Sequence, residues 1–240
     1  ALDLSAIPNT RITGIEAIDI TGTGNNSLTI GGVREVLNLS DTSNRLIVHR
    51  NLGDTVTIGS GWTETSPVTF AGKPFRVYSQ GAASLAVENP PPALDLNGDN
   101  DSGTAFQAAF VEDQPGVAIV DTDLTAIDET SLASATITIT NLMNGVDETL
   151  SVTVGTSGLT STYDPALGKL TLTGTAVSSV YQTVLRTLKY RNASNAPELT
   201  PRLVTALVND GVSNSNVATT TVTLTAVNDA ASATDALSSG

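Results

Sequence analysis

The run Val217-Ala218-Thr219-Thr220-Thr221-Val222-Thr223-Leu224-Thr225-Ala226-Val227 decides the fold class. Apolar and hydroxyl side chains alternate along it with a period of two, as in a strand with one face buried and the other wet. The same alternation recurs upstream at Ala135–Thr140 (ATITIT), Leu150–Val154, Lys169–Thr173 (KLTLT), Thr187–Arg191 and Leu203–Val208, with Gly, Asn and Asp between the runs. Strands at this spacing predict an antiparallel β-sandwich over residues 104–230. One stretch breaks the pattern. Ala176–Leu185 (AVSSVYQTVL) places Val177, Val180, Tyr181 and Val184 on one helical face. It predicts a short crossover helix at one end of the sandwich.

Upstream, Asn89-Pro90-Pro91-Pro92 cannot join a ladder and holds the chain extended. It divides a small β module, 1–88, from a Pro-rich and then acidic linker, 89–103, that includes Asp95–Gly103 (DLNGDNDSG). Residues 231–240 read as a C-terminal linker or tail. Within the first module short apolar runs repeat: Ile18-Asp19-Ile20-Thr21, Leu28-Thr29-Ile30, Val36-Leu37-Asn38-Leu39, Leu46-Ile47-Val48 and Val56-Thr57-Ile58. Asn26 and Asn44, and likewise Leu28 and Leu46, are 18 positions apart. Short strands at a fixed period predict a degenerate parallel β-solenoid or β-roll, and evenly spaced hairpins of a small antiparallel domain give the same pattern. Trp62–Val87 reads as two or three closing strands. The expected fold is therefore all-β, with one short helix.

Composition limits the chemistry. The 240 residues hold no cysteine, so there is no disulfide, thiolate zinc site or cysteine nucleophile. With His49 the single histidine, neither a multi-histidine metal site nor a Ser-His-Asp triad without His49 can be built. Lys and Arg number 11 against 24 Asp and Glu, a net charge of −13 that argues against a nucleic-acid partner. Thr is abundant at 36, and Asp outnumbers Glu by 16 to 8, a strand-and-turn composition that reads as an extracellular all-β protein. No apolar run approaches the ~18 residues of a membrane-spanning helix. The opening ALDLSAIPNT has no signal-peptide pattern and is expected to be an internal cut from a longer polypeptide.

The carboxylates collect at turns. Asp95, Asn97, Asp99 and Asp101 alternate in the linker, and Glu112 and Asp113 end the first strand of the second module. Asp121, Asp123 and Asp128 share one loop region, Asp210 lies between the last two strands, and Asn228 and Asp229 end the final one. Like charges crowded this way repel, and a hard cation that takes six to eight oxygen ligands relieves the repulsion, which points to Ca²⁺. The expected ligands are Asp95, Asn97, Asp99, Asp101, Glu112, Asp121, Asp123, Asp128, Asp210, Asn228 and Asp229. The linker is not an EF-hand, because Asn100 stands where that loop needs glycine and Phe106 where it needs the bidentate Glu.

In order, LDLNGDNDSG, FVEDQPGVAIVD, SATITITN, GKLTLTGTA, YQTVLRTLKYRN, LVNDG and ATTTVTLTAVND resemble the cadherin-like tandem repeats of giant bacterial RTX-type adhesins over 95–230. GIEAIDITGTGNNSLTI, VLNLSDTSNRLIV and GDTVTIGSGW in 14–87 resemble another module of the same proteins. The resemblance implies type I secretion, a place at the bacterial cell surface and calcium-stiffened extension. Ala126 departs from it, standing where the acidic loop expects the first Asp of an Asp-x-Asp pair. So does the segment His49-Arg50-Asn51-Leu52-Gly53-Asp54, where an acidic glycine-rich loop is usual. The expected role is a calcium-stabilised extension module of a secreted adhesin, not an enzyme. Its partners would be neighbouring domains of the same chain or identical subunits, with a host or surface ligand beyond. A calcium-dependent filament or S-layer subunit is the alternative. A carbohydrate-binding module would need an exposed aromatic groove, for which Trp62 and Tyr78 are the candidates.

Overall fold

The computed structural model describes residues 1–8, 11–98 and 102–228. The first unit contains β1 (Leu2–Asp3), β2 (Ala17–Asp19), β3 (Ser27–Ile30), α1 (Val33–Leu39), β4 (Arg45–His49), β5 (Thr55–Ile58), β6 (Thr63–Glu64), β7 (Val68–Phe70), β8 (Lys73–Gln80) and β9 (Ala83–Glu88). Strands β1, β3 and β5 stack in parallel as one sheet, and β2, β4 and β9 stack in parallel in a second. This is solenoid stacking, interrupted where β8 with β6 and β7 adds antiparallel strands beside β9.

The period differs from the expected 18. Leu28 stacks on Val56 and Ile18 on Val48, which are 28 and 30 positions apart. Leu28 and Leu46 lie on β3 and β4, in different sheets, because each coil contributes a strand to both. A second correction concerns Val36-Leu37-Asn38-Leu39, which is the second half of α1 and not a strand. Val36 and Leu39, one helical turn apart, are both buried and close the core over Leu28, Ile30, Leu46, Val48 and Leu85. Trp62 packs against this cluster, half-buried, with its indole nitrogen shielded from solvent.

The second unit contains β10 (Ala93–Asp95), β11 (Phe106–Val111), β12 (Val117–Ala118), β13 (Thr125–Ile127), β14 (Leu132–Ile139), β15 (Glu148–Ser151), β16 (Thr160–Asp164), β17 (Lys169–Ala176), α2 (Ser178–Leu185), β18 (Lys189–Asn192), β19 (Arg202–Asn209) and β20 (Ala218–Thr225). A six-stranded sheet in the order β11-β20-β19-β14-β17-β16 faces a three-stranded sheet in the order β12-β18-β15. One core joins them, including Ile137, Leu172, Val204 and Val222 from the larger sheet and Leu150 and Tyr190 from the smaller. All pairings in the larger sheet are antiparallel except β11 with β20, which run parallel over six registered residues.

The helix α2 connects the two sheets as expected and buries Tyr181, Val184 and Leu185; Val177 precedes it and stays exposed. Its Gln182 and Arg186 side chains donate to the carbonyls of Ala126 and Leu124. The acidic linker is partly sheet. Residues Ala93–Asp95 form β10 and pair with β13, so the free connection between the units shortens to the prolines.

The smaller sheet is tied to the larger by a buried ion pair. Arg202 and Glu148 are both fully buried, and the guanidinium Nε donates to the two carboxylate oxygens at 2.8 and 3.0 Å. Arg202 also donates to Asn144 Oδ1 and to the Thr200 carbonyl, and Glu148 accepts from the backbone of Met143 and Asn144. Phenols of the second unit are shielded too. Burial pushes Tyr181 up to about 12, and raises Tyr163 and Tyr190. The sign of the pH effect follows. Between the ordinary phenol value of 10.0 and about 12, the unfolded chain releases protons that the folded chain keeps. Stability is therefore full below 10 and falls as pH rises through that window. Urea midpoints of the second unit should drop steadily across it, and a flat profile would contradict the burial of these phenols.

Candidate functional site

Of the eleven expected ligands, those among the described residues fall in three places. The first is a corner formed by the end of β10 and the loop before β13. Asp95 Oδ1 accepts the Asn97 backbone N–H at 2.9 Å, and Asp121 donates its own backbone N–H to the Leu96 carbonyl at 2.8 Å. Asp121 Oδ1 also accepts from Thr122 and from the Asp123 backbone. The Thr122 hydroxyl is the main reason the Asp121 carboxyl lies below its ordinary range. The Asp123 carboxylate lies against the backbone of Gly98, where a Cβ would sit 1.9 Å from Oδ1 and φ is +74°. Only glycine leaves room for that oxygen. The corner thus joins Asp95, Asn97, Asp121 and Asp123; Asp99 and Asp101 lie outside the described residues. Among the described residues no three carboxylate or imidazole groups converge as a metal-holding set.

The second place is the far end of the second unit. Glu112 follows β11, donates its backbone N–H to Thr225 O, and accepts the Val227 N–H on Oε2, both at 2.9 Å. It is 2% exposed, and its Oε1 has no hydrogen-bond partner among the described residues. Asn228 is exposed one residue beyond Val227, and Asp229 lies outside the described residues. A buried carboxylate oxygen with nothing bound is costly. The unsatisfied oxygen belongs to the carboxylate that accepts the N–H of Val227, the residue before Asn228.

The third place is the junction between the units, where Asp128 and Asp210 lie. Asp210 Oδ1 accepts the backbone N–H groups of Val212 and Ser213, and Oδ2 accepts Asn89 Nδ2 at 2.5 Å. Arg76 Nη2 donates to the Asp210 carbonyl at 3.3 Å and lies 4.0 Å from Oδ2. Its Nε donates to Asn89 Oδ1 and its Nη1 to Glu64. The contact at Asp210 is therefore made by protein groups.

Beside this latch, Glu129 Oε1 accepts the Gly53 N–H at 2.6 Å, and Oε2 lies 3.7 Å from Arg50 Nη2. Burial raises Glu129 above its ordinary range, against the opposing effects of Gly53 and Arg50. Asp54, fully buried, accepts the backbone N–H groups of Asn26 and Asn51 and holds two coils of the first unit together. Arg76, Asn89 and Glu129 were not among the sequence candidates. Their signals are slight: a rare basic residue inside a strand, an amide directly before the prolines, and a second acid beside Asp128.

His49 Nδ1 lies 2.7 Å from Glu88 Oε2, and Lys73 Nζ lies 2.7 Å from Glu88 Oε1, so both oxygens of the buried Glu88 are engaged within the first unit.

No protein-family model matches the sequence, and no curated protein does. Among solved structures, one titled "BspA_C_mut" aligns over 62% of this chain at 10% identity with a TM-score of 0.24. The chain spans 54% of that structure's length, and a likeness this low carries no argument about function. Among the described residues no helix is long and apolar enough to cross a membrane.

Proposed function

We propose that this chain is a spacer segment of a large secreted bacterial surface adhesin, stabilised by calcium at the ends of its second unit. The observation that carries this reading is Glu112: a carboxylate 2% exposed, with one oxygen committed to Val227 and the other unsatisfied among the described residues. Glu112 with Asn228 and Asp229 would hold one cation at the exit of the unit. Asp95, Asn97, Asp99, Asp101, Asp121 and Asp123 offer oxygen donors for another at its entry. Bound calcium would neutralise crowded carboxylates and give a cysteine-free chain its cross-links. Because such sites exist only in the folded chain, ion binding would add to folding free energy, leaving the segment less stable where calcium is scarce.

The test is thermal unfolding with calcium and with EGTA. Calcium at about 100 times its dissociation constant adds roughly 2.7 kcal/mol, which raises the melting temperature of a domain this size on the order of 10 °C. Glu112→Gln should remove much of that gain. An unchanged melting temperature in EGTA would sink the calcium reading.

A further inference from the structure

The two sheets of the first unit end differently. One continues past β9 into the antiparallel strands β8 and β6, so both edges of β9 are paired. The other stops at β5. After β4 the chain lays β5 on β3, and after β9 the same path would lay a further strand on β5. Instead Asn89-Pro90-Pro91-Pro92 leads into β10, which pairs with β13 of the second unit. A cavity of about 340 Å³ lies against β5. Val56 and Ile58 of that strand line it, with Tyr78 and Val87 of the first unit and Ile127 of the second.

Two columns of side chains end at this cavity. Leu28 carries Val56, and Ile30 carries Ile58. Leu28 and Ile30 are fully buried, whereas Val56 and Ile58, the next in each column, are half-buried. Across the cavity Ile127 is 46% exposed. The backbone is open on the same side. Thr55 and Gly59 turn their N–H groups to the carbonyls of Asn26 and Ile30, toward β3. Alternation along the ladder turns the N–H and C=O groups of Val56 and Ile58 the other way, to the outer edge. Such an edge beside an apolar surface is a template for another strand. The charged side chains around it are committed to protein groups. Arg50 holds the Glu88 and Asp54 carbonyls and Glu129, Arg76 holds Glu64, Asn89 and Asp210, and Asp128 holds Thr130.

We propose that β5 accepts a strand of another protein: an extended, uncharged peptide that lies parallel to β5, as β5 lies on β3. Its main chain pairs with Val56 and Ile58, and two aliphatic side chains two positions apart continue their columns. A period of two puts both of those side chains on the cavity face. Main-chain bonds then supply affinity and the aliphatic ends of the columns supply specificity. A small apolar molecule would match the columns but leave the edge unmet, and a charged side chain would find its partners already taken. The site is independent of calcium at Glu112.

The experiment is amide hydrogen exchange of the whole chain, read by NMR, with the peptide acetyl-Thr-Val-Thr-Ile-Gly-amide, a copy of Thr55–Gly59, as the probe. The expected result is saturable binding that slows exchange at the Val56 and Ile58 amides at least about tenfold, because a strand on the outer edge covers both. Two control peptides separate the contributions. One carries serine in place of valine and isoleucine. The other is N-methylated at its second threonine and its glycine, the donors that would face β5. Each should bind at least about tenfold more weakly, through lost apolar burial or two lost hydrogen bonds. Ile127→Trp, at a position already exposed, should fill the cavity and abolish binding while the chain still melts cooperatively. Absence of saturable binding, unchanged exchange at Val56 and Ile58 with peptide bound, equal binding of either control, or full binding to Ile127→Trp would overturn the proposal.

Discussion

Replacing Arg202 with methionine should destabilise the second unit by about 3–5 kcal/mol, the cost of leaving one member of a buried ion pair alone. Glu148 is fully buried and would keep only the backbone N–H groups of Met143 and Asn144 as donors. Removing both charges should recover most of the loss, because a buried pair replaced by apolar groups of similar volume is often neutral. Arg202→Met/Glu148→Leu should thus lie well above Arg202→Met alone. Urea unfolding checks this through the midpoint at constant slope. A single-mutant loss below about 1 kcal/mol would mean that the pair is not shielded as described.

The second large effect is expected at the junction. Arg76→Ala removes the group that binds Glu64, Asn89 and the Asp210 carbonyl together. Asp210 has a side chain 0% exposed and would keep only Asn89 from across the junction. Leaving the Asn89 and Asp210 acceptors without this donor costs about 1–3 kcal/mol. Here the loss should show as uncoupling, with calorimetry resolving two transitions where the unaltered chain gives one. Arg76→Lys should not restore coupling, since one ammonium cannot reach three acceptors spread across a guanidinium fork. A single undisturbed transition in Arg76→Ala would show that the units are held together by other contacts.

How much of this was legible in the sequence differs between the units. In the second, Thr alternating with Leu, Ile and Val along β14, β17 and β20 leaves one reading open, because a period of two buries every apolar residue on one face. The helix α2 was equally plain from Val180, Tyr181 and Val184. The first unit misled at two points. The helix α1 spans only seven residues, too few for a 3.6-residue period to separate from an apolar run. The repeat of 18 linked β3 to β4 because both end a half-coil in similar residues, although the stacking partner of Leu28 is Val56.

The acidic positions were visible, but not how they divide. Asp121 donates its backbone N–H to Leu96, the neighbour of Asp95, whereas Arg76 and Asp210 meet across 134 positions. Contacts at that separation are set by how two finished units dock, and no local pattern encodes them.

The parallel pairing of β11 with β20 has a consequence for load. The chain enters the second unit's main sheet at Phe106 and leaves it at Thr225, and these residues lie at opposite ends of one ladder, from Phe106↔Thr220 to Val111↔Thr225. Tension applied through the two termini therefore runs along the strands. It loads every rung of that ladder together, in shear, where an antiparallel hairpin would open rung by rung from one end. A segment wired this way yields late and abruptly when pulled, so rupture force in single-molecule extension should fall when Ala108, in the middle of the ladder, becomes proline.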